Sequence, residues 1–463
     1  MLAYRLAAVA LMIPAASCGQ TTDDPFPDPI EASEGVIVVG FDDFAALPDV
    51  DGQPARPMLL VDEPGTGRLF VVDMWGPLYT IDYAGASVTP YLDVNDAVPV
   101  DASSRERGIQ SFAVHPQFGA PGTPGYGKIY VWTDTRDTGP DPDYAPDGGE
   151  DSHDTVLLEF TAGDASAPGY DGDAPRELLR IEQPFRNHNG GHIAFNPTAS
   201  PGDPDYGMLY VGVADGGSGG DPLDMAQDLR SVFGKILRID PLGTGSANGR
   251  YGIPQDNPFV GEERALGEIY ASGVRNPQRY GWDPANGNLY VADIGQNAIE
   301  ELSPVTAGAD LGWNTWEGSH RFVSGSGVEL AEPRSDPEIT YPVAEYDPVD
   351  PLFGDRVAVT GVVVPRTDRV PQLRGRILFG DLPSGEIFHV SADDPPAGGQ
   401  AAIRRVLLRD GEQTKTFLDV VRETTVEQGR AAAERTDLRF GTGPNGRIFL
   451  LNKHDGVIRE VVP

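Results

Sequence analysis

The stretch from Gly67 to Asp82 reads "GRLFVVDMWGPLYTID" and predicts two short strands joined by a tight turn. Its opening phrase is a glycine, one variable residue, an aliphatic residue and two further apolar residues. This phrase recurs along the whole chain. Its six copies begin at Gly67, Gly127, Gly207, Gly287, Gly375 and Gly446. A unit that returns at intervals across a chain indicates a fold built from similar sheets.

The composition agrees with many short strands separated by turns. The 463 residues include 57 glycines and 42 prolines, without a collagen-like period. A propeller blade has four strands and takes ~40–50 residues plus loops. We therefore predict an all-β fold, a six-bladed β-propeller over residues 36–463, with its ligand site at the mouth of the central channel. The alternative, a large sandwich with coincidental strand starts, does not explain the spread of the copies.

The charge balance excludes one class of partner. The formal net charge is −35, from 70 acidic and 35 basic residues. Nucleic acids need a basic surface, so no nucleic acid partner is expected. Adsorption to anionic lipid is disfavoured for the same reason. The simplest interpretation of the charge is the solvated surface of an exported protein.

The N-terminal sequence "MLAYRLAAVALMIPAASCGQ" is typical of an export signal. A basic residue, Arg5, precedes a short apolar run and then small residues. Cys18, the single cysteine of the sequence, follows directly and resembles the lipidated cysteine of a bacterial lipoprotein. We expect a signal peptide over residues 1–18 and a flexible tether over residues 19–35. The protein would then be periplasmic or at the cell surface, touching membrane only through the lipid anchor, or secreted if Cys18 is not lipidated.

A cluster of motifs in the middle of the chain carries the candidate chemistry. The first is "FRNHNGGHIAFNP", residues 185–197, in which His188 stands between two asparagines and before two glycines. Such open backbone suits a histidine that meets a bound molecule. The others are "VGVADGGSGGDPLDMAQDL", "FGKILRID", "YGIPQDNPF" and "IYASGVRNPQRYGWDPANGNLYVADIGQNAIEEL".

In order and spacing, these motifs resemble the glucose/sorbosone dehydrogenase family, the soluble quinoprotein sugar dehydrogenases. The similarity is greatest to the hedgehog-interacting-protein-like branch and covers roughly residues 55–455. It implies a six-bladed propeller, in agreement with the repeat.

The resemblance implies roles for the residues around the histidine. His188 would be the general base that takes a sugar hydroxyl proton while a hydride passes to pyrroloquinoline quinone (PQQ). Asp215, at the end of the next strand, would fix the histidine tautomer. Gly190 and Gly191 would let substrate or cofactor approach the backbone. His192 is the spare candidate for the base.

The resemblance also implies cofactor contacts farther along the chain. Arg275 and Asn276 match a pair beside the quinone, where an arginine can polarise a quinone carbonyl. Gly295 and Gln296 match a loop that offers backbone carbonyls to Ca²⁺. The implied cofactors are PQQ and calcium, and the implied substrate is an aldose or a similar sugar. The electron acceptor is not indicated.

The chain departs from the family pattern at three places. The family carries a lysine in the turn that here reads Leu-Pro-Ser, residues 382–384. Its pair of arginines before the last repeat corresponds only out of register to Arg435 and Arg439. A glutamine near the start is replaced by Arg105 or Glu106. Because PQQ carries several carboxylates, these changes weaken the expectation that it is bound.

Three functions follow from this pattern. The leading hypothesis is an exported PQQ-dependent sugar dehydrogenase. The second is a non-enzymatic glycan- or protein-binding propeller lipoprotein with an eroded quinone site, which the departures favour. The third is a metal-dependent lactone hydrolase, which would need carboxylates from several blades around one axial metal.

Overall fold

The computed structural model describes residues 20–150, 153–354 and 356–463, so the predicted signal peptide and Cys18 lie outside the described residues. Within these ranges the chain is almost entirely β-structure, which confirms the predicted all-β class. One α-helix, α1 (Phe417–Glu427), begins with a capping box between Thr416 and Asp419. The described 3-10 helices are Val94–Asp96, Pro371–Leu373 and Pro444–Gly446.

The strands are short, and their bounds in chain order are as follows. They are β1 Thr21–Thr22, β2 Ile37–Ala46, β3 Pro57–Glu63, β4 Arg68–Asp73, β5 Pro77–Asp82, β6 Val88–Asp93, β7 Ile109–Val114, β8 Lys128–Thr135, β9 Asp154–Thr161, β10 Arg176–Glu182, β11 Ile193–Phe195, β12 Leu209–Val213, β13 Lys235–Ile239, β14 Ile269–Ser272, β15 Pro277–Trp282, β16 Leu289–Asp293, β17 Glu300–Val305, β18 Trp316–Glu317, β19 His320–Val323, β20 Gly327–Glu329, β21 Ala344–Tyr346, β22 Val359–Val363, β23 Arg376–Asp381, β24 Ile387–Ser391, β25 Arg404–Asp410, β26 Gln413–Lys415, β27 Arg439–Gly443, β28 Arg447–Leu451 and β29 Val457–Val462.

In the described residues, most strands fall into antiparallel groups of four, which we call sets 1 to 6. Set 1 contains strands β3 to β6, set 2 contains β7 to β10 and set 3 contains β11 to β14. Set 4 contains β15, β16, β17 and β21, set 5 contains β22 to β25, and set 6 contains β27, β28, β29 and β2. Set 6 combines the two ends of the chain, because β2 pairs antiparallel with β29. Strand β2 also pairs in parallel with β25 of set 5. A further small sheet contains β1, β20, β19 and β18.

The repeated glycine has one structural role in all six copies. Each copy leads into the second strand of a set, and each glycine has a φ angle between 70° and 80°. Only glycine adopts this left-handed conformation without a steric penalty. The repeat is therefore the turn that joins the first strand of each set to the second.

The hydrophobic core is divided into layers between neighbouring sets. Phe70 of set 1 and Phe112 of set 2 share one cluster. Another cluster closes the circle, since Phe449 of set 6 packs in the same cluster as Leu69 of set 1. Each set thus buries both faces against its neighbours, which the hydrophobic effect favours. The closed arrangement agrees with the predicted propeller, and the number of blades stays a prediction.

The segment predicted to be a flexible tether is packed in its described part. Strand β1 pairs with β20, and Ile30 is buried in the cluster between sets 4 and 5. The backbone N–H of Ile30 donates to Asp350 at 2.6 Å. These contacts correct the tether prediction for residues 20–35. The apolar side chain of Ile30 packs against the strands of sets 4 and 5, although the stretch around it is polar. None of the helices in the described ranges has the length and apolar character needed to cross a membrane.

Candidate active site

The candidate residues converge because of how antiparallel sets are connected. In every set the first strand starts, and the second strand ends, at the same end of the molecule. His188 and Arg275 lie in the segments that enter β11 and β15. Asp215 follows β12 and Asp293 ends β16. The residues singled out in the sequence are therefore brought to one end of sets 3 and 4.

The predicted pairing of His188 with Asp215 is present as a hydrogen bond. The Nδ1 atom of His188 lies 2.7 Å from Oδ1 of Asp215. The other carboxylate oxygen accepts a hydrogen bond from Nε1 of Trp313 at 2.9 Å. Burial opposes ionisation of Asp215, but the His188 ring, followed by Arg275, holds its pKa below the ordinary value. An ionised carboxylate accepts the Nδ1 proton, so Nε2 of His188 is left as an acceptor.

The backbone of His188 is held as firmly as its ring. Its φ angle is +57°, in the left-handed region that few non-glycine residues adopt. Its N–H donates to Oε2 of Glu106 at 3.1 Å, and the residue is 7% exposed. The strained conformation and the two hydrogen bonds orient the ring before any ligand arrives.

The two glycines after His188 lie against the backbone of neighbouring strands. A Cβ atom added to Gly190 would lie 2.9 Å from the carbonyl oxygen of Gly212. A Cβ atom added to Gly191 would lie 2.3 Å from the carbonyl oxygen of Pro277. Their predicted contact with substrate or cofactor stays a prediction. They are required because this segment packs directly on the backbones of β12 and β15.

The flanking asparagines also bind protein groups. Asn189 is 1% exposed, and its Nδ2 lies 2.7 Å from Nε2 of His153. The side-chain carbonyl of Asn187 accepts the N–H of Ser218 at 3.1 Å. These contacts position the loop that carries His188. Sequence analysis missed His153, whose pKa burial lowers to about 4.

His192, the spare candidate base, is a packed histidine of the inner strands. Its Nδ1 lies 3.1 Å from the Ser111 hydroxyl, and its ring meets the Tyr280 ring edge-on at 4.7 Å. Burial, aided by Arg279, keeps its pKa well below the ordinary value. Its ring is neutral and committed to these neighbours.

The side chain of Arg275 lies across the loop that was predicted to bind calcium. Its guanidinium is 5.5 Å from the centre of the Trp313 ring. It donates hydrogen bonds to Oε1 of Gln296 at 3.0 and 3.2 Å, to the Ile294 carbonyl at 2.9 Å and to the Gly295 carbonyl at 2.6 Å. Trp313 therefore contacts both the Arg275 guanidinium, through its ring, and the Asp215 carboxylate, through its N–H.

Two buried carboxylates fix the backbone around Arg275. Asp293 accepts the N–H groups of Arg275 and Asn276 at 2.8 and 2.6 Å, and burial raises its pKa to about 7. One oxygen of Glu317 accepts four consecutive N–H groups, from residues 296–299, at 2.8 to 3.1 Å. These groups make the segment rigid and leave the Arg275 side chain little freedom.

The amide of Asn276 has an atom available to a ligand. The residue is buried, and Oδ1 has no hydrogen-bond partner among the residues that the structure describes. Within those residues, no group of three or more histidine, cysteine, aspartate or glutamate side chains is arranged to hold a metal ion. The site is thus built from one histidine–carboxylate pair, one guanidinium, one indole and one unpaired amide oxygen.

Comparison with known proteins gives this chain a family. The family model described as "Glucose / Sorbosone dehydrogenase" matches residues 55–410. The HIPL1 protein of Arabidopsis thaliana is 29% identical over 68% of this chain and 48% of its own length. The aldose sugar dehydrogenase YliI of Escherichia coli is 26% identical over 60% of each chain. The chain thus spans about half the length of the first of these curated relatives.

A solved structure supports the fold. The PQQ-bound form of aldose sugar dehydrogenase from Streptomyces coelicolor superimposes with a TM-score of 0.55 at 20% identity. The match covers 91% of this chain and 96% of the other. The propeller-type all-β architecture is confirmed by this likeness.

Proposed function

Because the chain belongs to the glucose/sorbosone dehydrogenase family, we propose that it oxidises the hydroxyl of an aldose or a similar sugar with PQQ as the hydride acceptor. The observation that carries the proposal is the 2.7 Å hydrogen bond between His188 and a buried, ionised Asp215. This pair presents an imidazole nitrogen as an acceptor at the end of the molecule where Arg275 and Asn276 also lie.

In the proposed reaction, His188 acts as the general base. Its Nε2 accepts the proton of the sugar hydroxyl as the carbon gives up a hydride. The ring then carries a positive charge, which Asp215 stabilises across the same hydrogen bond. Trp313 keeps the carboxylate in place by donating to its second oxygen. The pair therefore both orients the base and offsets the charge that develops on it.

The residues beside this pair fit a quinone. When bound, PQQ supplies a two-electron oxidant that accepts the hydride. Arg275 would stabilise the reduced, more anionic ring, and its planar guanidinium suits a quinone oxygen. The unpaired Oδ1 of Asn276 would accept a ring N–H. PQQ would thus meet a guanidinium that the fold already holds in place and an amide oxygen that has no partner among the described residues.

Calcium has no place in the proposal, because its predicted donors are engaged. The Gly295 carbonyl already accepts the Arg275 guanidinium at 2.6 Å, and Gln296 holds the same guanidinium through its side chain. A divalent ion would have to displace the Arg275 guanidinium from these oxygen atoms. The donor set therefore does not fit Ca²⁺ in this arrangement.

The test is reconstitution of the purified protein with PQQ, followed by dye reduction with a panel of aldoses. The His188→Gln variant should lower the turnover number by about 10²–10⁴-fold, the usual range for a general base. Its affinity for PQQ, measured by absorbance titration, should not change. Full dye reduction by the variant would place the base elsewhere. A wild-type protein that neither binds PQQ nor reduces dye would favour the glycan- or protein-binding alternative.

A further inference from the structure

A second feature at the same end of the molecule is a cationic cleft of about 270 Å³. Its lining includes Arg56, Arg105 and Lys453. Arg56 directly precedes β3, Arg105 lies before β7, and Lys453 follows β28. Sets 1, 2 and 6 thus contribute one cation each, in a protein whose formal net charge is −35. We call these three residues the cation triad.

The cation triad forms no salt bridge in the described parts of the chain. Asp437 attracts Arg56 and Lys453 without a direct ion pair, because its oxygens bind Arg435 and His454. Asp437, the one carboxylate of the described lining, accepts hydrogen bonds from Arg435 at 2.7 Å and lies 3.1 Å from Nε2 of His454. Burial opposes its ionisation, but His454, followed by Lys453, keeps the pKa of Asp437 well below the ordinary value. The cleft retains a surplus of positive charge.

Lys453 is the buried member of the triad, and its charged form is costly to the fold unless an anion enters the cleft. Lys453 is 6% exposed, and its Nζ donates to the carbonyl of Arg105 at 2.9 Å. Burial, with repulsion from Arg439, lowers its pKa well below the ordinary value. A bound carboxylate would stabilise the charged amine and relieve the repulsion. Arg56 is already positioned for such a ligand, because its guanidinium stacks 4.2 Å from the centre of the Trp75 ring.

One short segment joins the cleft to the candidate base. Glu106, next to Arg105, accepts the backbone N–H of His188 at 3.1 Å. Nε of Arg107 donates to the carbonyl of Arg186 at 3.1 Å. The segment 105–107 is therefore a wall shared by the cation triad and the loop of His188. A ligand in the cleft lies beside the site already described.

We propose that the cation triad binds the carboxylate groups of the quinone and replaces the lysine that the chain lacks in the turn of residues 382–384. This inference rests on the proposed function. Several cations around one cleft suit a ligand with several carboxylates, and each contact would be a charge-assisted hydrogen bond. An acidic sugar offers the same chemistry through a single carboxylate, so binding has to be measured for both.

The experiment compares PQQ and glucuronate binding in the wild type and in the variants Arg56→Gln and Lys453→Met. Titration calorimetry gives the dissociation constants, and circular dichroism reports folding. Each variant should weaken PQQ by roughly 10- to 100-fold, the range for hydrogen bonds to charged groups. Arg374→Gln, which removes an exposed arginine paired with Asp368, is the matched control and should leave PQQ affinity unchanged.

The outcomes separate this inference from the proposed function. If folded variants bind PQQ as the wild type does, the cation triad is not its site, although the protein is still a quinoprotein. If the variants lose glucuronate but not PQQ, the cleft belongs to an acidic sugar and the inference is overturned. If the wild type does not bind PQQ, the proposed function and this inference fail together. Weaker PQQ binding in Arg56→Gln with unchanged dye reduction at saturating PQQ supports the inference.

Discussion

At the scale of single residues, the site depends on a carboxylate that makes all its contacts inside the protein. Asp215 holds His188 at 2.7 Å with one oxygen and Trp313 at 2.9 Å with the other. The same Oδ1 also accepts the N–H of Gly217 at 2.9 Å. Its role is to position the base and stabilise its charge, so its removal should affect the same step as removal of the histidine.

Asp215→Asn should lower the turnover number by ~10²-fold, less than His188→Gln, because the base remains but its tautomer is no longer enforced. Steady-state dye reduction at saturating PQQ and sugar measures the turnover number of both variants. Wild-type turnover in Asp215→Asn would show that Asp215 does not act through His188.

Gly191→Ala tests whether the glycine pair serves packing. The added Cβ would lie 2.3 Å from the Pro277 carbonyl, so the segment that carries Gly191 must move away from β15. We expect the free energy of unfolding to fall by about 1–3 kcal/mol, as for other overpacked sites. Gly245→Ala is the matched control, because its Cβ would meet nothing within 4 Å. Denaturant titrations measure both, and equal stability of the two variants would show that packing does not require glycine at position 191.

At the scale of elements, buried carboxyl groups join sets 4 and 5. Oε2 of Glu300, in β17, accepts the N–H of Val359 in β22 at 2.7 Å. Burial raises the pKa of Glu300 to about 8, although this hydrogen bond opposes the shift. Asp381, which ends β23, has its pKa raised by burial to about 6. The interface between the sets therefore holds protons that an unfolded chain would release.

The pH dependence of stability follows from this difference. The ordinary pKa of Glu300 is 4.5 and its folded pKa is about 8, so the folded state binds more protons between these values. The stability contributed by the proton is complete below pH 4.5 and is lost as the pH rises to 8. Glu300→Gln copies the protonated form and keeps an acceptor for Val359. The free energy of unfolding of Glu300→Gln should exceed that of the wild type by about 1–3 kcal/mol more at pH 8 than at pH 5.

Thermal unfolding across this pH range checks the prediction. Glu427→Gln, at an exposed position of α1, is the matched control and should follow the wild-type curve. Parallel curves for Glu300→Gln and the wild type would mean that Glu300 is ionised in the folded protein.

At the scale of the whole molecule, the two chain ends meet in one sheet. Strand β2 lies between β29 and β25, so the last set cannot form until the N-terminal strand is in place. The residues before β2 continue onto the body, and the Gln20 carbonyl accepts the N–H of Leu330 at 3.2 Å. A lipid on Cys18 would consequently hold the body directly at a membrane surface.

Cys18→Ser tests this anchoring, which we propose from the sequence alone. Wild-type protein should sediment with membranes, whereas the variant should be released or kept as an uncleaved precursor. Fractionation and N-terminal sequencing distinguish these results. A freely soluble wild-type protein that starts at another residue would rule out lipidation.

The sequence by itself determined the strand pattern and part of the site. The repeated glycine was readable because one local conformation, with φ between 70° and 80°, recurs before each second strand. The pairing of His188 with Asp215 was expected from the resemblance to the sugar dehydrogenase family, and the 2.7 Å hydrogen bond agrees with it.

Only the tertiary structure decided the remaining contacts, because they join segments that are distant along the chain. Trp313 reaches Asp215 across 98 positions, and Lys453 reaches Arg105 across 348. No local pattern marks such partners, since their meeting depends on which sets are neighbours and on the closure of the ring by β2. Tertiary structure likewise set the space around Gly190 and Gly191, because folding places the backbones of Gly212 and Pro277 against them.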